Sequence, residues 1–196
     1  MTAVRKVTRA DILPMSEYGL QRTGLRRELS ALRATRRVEL GPFVTLSFEC
    51  YRTIWHQIHE MLFIEKGGEG QIAGELDAYN PLIPNGRELV ATMMIEIEDP
   101  VRRAAMLAKL GHVEDTVAFR IGPATIAAQP EKDEERTTPD GKTSSVHFLH
   151  FPFAPDRIAA FKADGAEVIL GIGHPEYRHM TALTEQARAT LAGDFA

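Results

Sequence analysis

Apolar positions along this chain recur with two different periods, and the switches between them mark out its elements. Leu20, Leu25, Leu29 and Leu32 fall at near-helical spacing between Ser16, a capping residue, and about Thr35, which predicts a first long helix. Residues 37–50 change to alternation. Val44, Leu46, Phe48 and Cys50 interleave with Thr45, Ser47 and Glu49, and Gly41-Pro42 supplies a turn, so a hairpin is expected. Cys50 then lies on the apolar face as a buried, inert thiol. Residues 51–66 return to helical spacing, with Gly67-Gly68 as the stop. A shorter helix over residues 69–79 is closed by Pro81 and Pro84.

Residues 88–98 read as a strand, and Pro100 suits the first turn of a helix ending near Gly111. Residues 117–121 and 125–128 are short strands around Gly122-Pro123. The polar stretch at residues 130–142, with Pro139-Asp140-Gly141, is expected to be an exposed, mobile loop. A strand at 145–151, a helix at 154–162 and a strand at 167–173 follow. Residues 180–183 pair with that last strand, and Thr184 caps a final helix. Hairpins mixed with helices, rather than a regular alternation, predict an α+β fold. Its sheet is mainly antiparallel, with helices packed against it and long N-terminal helices. A single domain over residues 1–196 is expected, mostly helical with one hairpin over 1–85 and mixed over 86–196. At 196 residues and 44% hydrophobic, such a chain can bury a core without staples.

Composition narrows the chemistry. Cys50 is the single cysteine, which excludes an internal disulfide, a four-thiolate zinc site and an iron–sulfur cluster held by one chain. The N-terminal stretch has no apolar core of leader length, and the longest apolar runs are too short to span a bilayer, so a cytoplasmic location with no membrane contact is expected. The net charge of −4 gives no expectation of nucleic acid. It hides an asymmetry: residues 1–40 carry nine bases against four acids, and residues 65–99 eight acids against two bases. A basic first helix could touch phosphate or an acidic partner, or be a solvated face. No glycine-rich phosphate cradle follows any strand.

The helix at 51–66 holds the most informative side chains. Ile54, Trp55, Ile58, Met61 and Leu62 share one stripe, and Glu65 falls within it. A carboxylate there must be paired, protonated or cation-bound, or else reach water past Gly67. His56, His59 and Glu60 lie on the adjoining face as i, i+3 and i+4 neighbours. Imidazole and carboxylate suit iron or zinc, yet His-x-x-His-Glu is not the order of the known zincin motifs. His147 and His150, three apart on a strand, are expected on opposite faces. His174 follows a strand directly, where site residues are common. None of the histidines has an evident nucleophile beside it, so a hydrolase triad has no support.

The run FECYRTIWHQIHEMLFIEK, then AYNPLIPNGRELVATMMIEIEDP, and later SSVHFLHFPF and VILGIGH, resembles the bacterial domain-of-unknown-function family 3501 over nearly the whole chain. The matching positions are Glu49, Gln57, Glu60, Met61, Glu65, Glu75, Tyr79, Asn80, Leu82, Pro84, Glu88, Leu89 and Glu96. The resemblance implies a context, since such proteins look to be encoded beside rubrerythrin-like proteins and iron–sulfur oxidoreductases of the heterodisulfide-reductase type. That implies an accessory or partner role in a redox or oxidative-stress system. It also implies that His56 and His59 depart from the family's pattern, which shifts weight to Glu60, Glu65 and Glu75. Three readings stand: the redox accessory protein, a metal-binding protein or metal-dependent enzyme built on the Glu/His cluster, and a small-molecule-binding domain with a pocket between sheet and Trp55 helix.

Overall fold

A computed structural model describes residues 6–131, 136–138 and 141–196. Among these, six α-helices and two antiparallel sheets form an α+β fold. The helices are α1 (Met15–Ala34), α2 (Tyr51–Glu65), α3 (Glu69–Tyr79), α4 (Pro100–Leu107), α5 (Pro155–Lys162) and α6 (Glu185–Ala192). The strands are β1 (Arg37–Leu40), β2 (Val44–Phe48), β3 (Glu88–Ile95), β4 (Val117–Ile121), β5 (Ala124–Ala127), β6 (Gln129–Pro130), β7 (Val146–Pro152), β8 (Val168–His174) and β9 (Tyr177–Ala182). The first sheet runs β1-β2-β3-β7-β6 and the second β5-β4-β8-β9.

Strand alternation divides the first sheet into two faces. Leu46, Phe48, Ala91, Met93, Leu149 and Phe151 point inward and are fully buried or nearly so. They share one core with Phe119, Leu170 and Ile172 of the second sheet, to which the C-terminal segment adds Phe161, Leu191 and Phe195. The Phe119 ring lies 5.8 Å from Phe48 and 4.9 Å from Phe151, the latter edge-to-face, as aromatic quadrupoles prefer. Each fully buried side chain of this size contributes about 1.5–3 kcal/mol by leaving water. On the opposite face, Val90 and Phe148 meet a second cluster with Ile54, Trp55, Ile58, Leu62, Ile72 and Leu82 from the α2–α3 region.

Two ties hold these layers in register. Arg36, buried between α1 and β1, donates to the carbonyls of Phe48 and Glu49 at 2.9 Å and pairs with Asp194 near the C-terminus. The Tyr177 hydroxyl, on β9, donates to the Leu40 carbonyl and links the two sheets at the β1 edge. Between β1 and β2, Gly41 turns with φ +71°, and a Cβ there would sit 2.6 Å from the His179 ring and the Tyr177 hydroxyl. Only glycine meets both demands.

Several local expectations need correction. Ser16 lies inside α1, whose N-cap position is Pro14. Leu20 is 89% exposed, while Tyr18 is buried. Two residues turn about 200° on a helix, so Tyr18 with Leu25, Leu29 and Leu32 makes the true stripe and Leu20 faces away. Cys50 ends no strand face. It is the half-buried N-cap residue of α2, and its N–H donates to Thr53 Oγ1 at 2.9 Å. The left-handed residue closing α2 is Lys66 (φ 57°), not a glycine. The strand expected over 88–98 pairs only as far as Ile95. The loop expected at 130–142 lies partly outside the described residues, and its described part carries β6 and a Thr137–Thr143 bridge. Thr184 does cap α6, accepting from the Ala187 N–H.

Candidate functional site

The predicted Glu/His cluster on α2 is dispersed into separate roles. His59 is fully buried. It accepts the Leu13 N–H at Nε2 (3.1 Å), so its proton sits on Nδ1 and is donated to the Trp55 carbonyl at 2.7 Å. Both nitrogens are used, and burial lowers its pKa. Glu60 accepts a two-pronged pair from Arg22 (2.8 Å each) and the Tyr18 hydroxyl (2.7 Å). The Arg22 bond foremost, against the opposing effect of burial, holds its carboxyl down at about 2. Glu65 turns to solvent and takes a hydrogen bond from Gln71, whose amide also bonds Glu75. The expected apolar stripe therefore ends before Glu65. His56 is buried between α1 and α2, and neither of its nitrogens has a hydrogen-bond partner among the described residues. Burial lowers its pKa as well. Among the described residues, no group of three or more His, Cys, Asp or Glu side chains is placed to hold a metal.

The β7 histidines lie on opposite faces. His147 points inward and is fully buried, with Nε2 2.9 Å from the Ser144 carbonyl and 3.1 Å from Thr143 Oγ1. Its Nδ1 lies 3.6 Å from Oε2 of buried Glu114, a residue the sequence did not single out. Desolvation lowers the His147 pKa. His150 points outward, and a 3.1 Å hydrogen bond with Glu88 raises its pKa. His174 accepts the Glu176 N–H and bonds the Gly111 carbonyl at 3.2 Å, a structural role at the strand end.

One predicted residue, Gln57, opens onto a pocket. A cavity of about 460 Å³ lies between the outer face of the first sheet and the α1–α3 layer. It is lined by Arg33 from α1, Ile54 and Gln57 from α2, and Tyr79 and Leu82 beyond them. Its floor is Ser47, Glu49, Thr92, Met94, Val146 and Phe148. The sheet register builds that floor: Arg37 pairs with Ser47, Ser47 with Thr92, and Thr92 with Phe148, so one row crosses four strands. Polarity falls along the row, from guanidinium through two hydroxyls to a phenyl ring. The Glu49 carboxylate accepts from Thr53 (2.5 Å) and Thr92 (2.6 Å), which fixes it at the α2 end of the floor. Ser47, Gln57 and Tyr79 make no side-chain hydrogen bond among the described residues, so their polar groups are free for a guest. Glu49, Gln57, Tyr79 and Leu82 are also positions that carried the family resemblance. Ser47, Thr92 and Phe148 were missed, although Ser47 shares the alternation that set Glu49 outward.

The sequence matches the family model described as protein of unknown function (DUF3501) over residues 6–195. The chain belongs to the DUF3501 family. It is also similar to a crystal structure from Burkholderia pseudomallei K96243, described as a novel protein of unknown function. The two share 39% identity over 100% of each chain, with a TM-score of 0.90. No curated protein matches the chain. Among the described residues, no helix is long and apolar enough to cross a membrane.

Proposed function

We propose that this family member binds a small organic molecule in the pocket between the first sheet and helices α1–α3. The observation that carries the reading is that unpaired polar side chains, Ser47, Gln57 and Tyr79, line one cavity of about 460 Å³ with the apolar Met94, Val146 and Phe148. That volume falls in the range of small-molecule sites, which join mostly apolar walls to a few oriented polar groups. The test is a fragment screen by amide NMR on the full chain. Hits that shift Ser47, Gln57, Thr92 and Phe148 together support the reading, and hits scattered over the surface sink it. A second reading, an accessory protein beside an iron–sulfur oxidoreductase and a rubrerythrin-like protein, rests on the genomic context that the family resemblance implies, the family model itself being of unknown function. Affinity purification from the native host tests it, and recovery of no redox partner would count against it.

A further inference from the structure

The charges around this pocket go further than its shape. Arg37 at the rim is already committed: its guanidinium lies 3.0 Å from Glu96, 3.2 Å from Thr45 Oγ1 and 3.9 Å from Glu39. Arg33, at the end of α1, also lines the pocket and is exposed, and its guanidinium makes no hydrogen bond or ion pair among the described residues. The carboxylate within the pocket, Glu49, has no cation partner there and is held by two hydroxyl donors. One uncommitted cation and one carboxylate held by hydroxyls thus line the same cavity. An anionic group is attracted to Arg33 and repelled from Glu49, so it binds beside Arg33. The rest of the guest then lies along Met94, Val146 and Phe148, where the floor is apolar.

Resting on the pocket reading above, we infer that the ligand is a small organic monocarboxylate with an apolar body, its carboxylate on Arg33 and its body over Met94 and Phe148. A single free guanidinium balances one negative charge, not the two of a phosphate monoester. The planar guanidinium fork also matches carboxylate geometry bidentately.

The test compares 3-phenylpropionate with its neutral amide, 3-phenylpropionamide, by amide NMR titration of the full chain. Both should shift Ser47, Thr92 and Phe148, with the carboxylate binding about tenfold more tightly, one charge-assisted hydrogen-bonding pair being worth that much. In the Arg33→Gln variant that ratio should fall to about one, while binding of the amide is unchanged. Arg33 is exposed on a helix, so this variant keeps its fold. A second variant, Ser47→Phe, fills the floor at a strand position that favours aromatics and should abolish binding of both probes. If the amide binds as tightly as the carboxylate, or Arg33→Gln leaves the ratio unchanged, the monocarboxylate assignment is overturned and the pocket reading stands. If neither probe shifts the pocket residues, both are overturned.

Discussion

The two faces of the first sheet are made from the same strands and serve opposite ends. Moving one residue along β2, β3 or β7 crosses from Phe48, Met93 and Leu149, which are dry, to Ser47, Thr92 and Phe148, which are half-buried around a cavity. The inner face is covered completely because a second sheet lies over it. The outer face is covered by three helices that leave part of it open. Side-chain period 2 thus lets one sheet carry a closed core on one face and an open pocket on the other, since neither face constrains residue choice on the other.

The largest test of that contrast is truncation. Phe151→Ala removes a ring packed against Phe48 and Phe119 and should cost about 3–5 kcal/mol in urea unfolding. Phe148→Ala, three residues away on the pocket face, should cost about 1–2 kcal/mol because its site is already partly open. Equal losses would break the comparison. Next, Arg36→Met should cost about 3 kcal/mol, since it removes the buried ion pair to Asp194 and the donors to two carbonyls at the seam of the faces. A loss under about 0.5 kcal/mol would show that this tie does not hold the layers. Within the helical layer, Glu60→Gln should cost about 1 kcal/mol, discounted because its partner Arg22 is 28% exposed.

The smallest effect, and the sharpest, is titration. On β7, His147 faces inward with its pKa lowered by burial, and His150 faces outward with its pKa raised by Glu88. By NMR, His147 should titrate below the ordinary 6.5 and His150 above it. The stability signs are opposite. A lowered histidine binds fewer protons folded than unfolded, so His56, His59 and His147 lose stability for the protein as pH falls below 6.5. His150 contributes stability that is present below 6.5 and lost as pH rises through its folded value. With three groups against one, melting temperature should drop on acidification from pH 7 to 5.5. A rise would reverse the assignment.

Much of the fold is legible in the sequence. Alternation in residues 37–50 and helical spacing in 51–66 come from periods that local geometry imposes, and β1, β2 and α2 fall there. His147 and His150 separated as a two-residue period requires. The expected pocket beside the Trp55 helix is present, because an amphipathic helix on a sheet's polar-edged face leaves space wherever small hydroxyl residues replace large apolar ones. The metal cluster fared differently. His59, Glu60 and Glu65 are close in sequence on α2, yet what each does depends on Leu13, Arg22 and Gln71, which reach it from elsewhere in the chain.

Local spacing by itself determined most of the elements and the α+β class, since period and turn chemistry act over a few residues. Family membership was also written there, in the runs around α2 and β3. Tertiary structure decided which polar groups are spent and which are free. Arg37 is committed to Glu96 and Arg33 is not, although both are arginines four residues apart at the end of one helix and the start of one strand. A side chain's partners are set by what the whole fold brings within about 3 Å, and no local pattern carries that information.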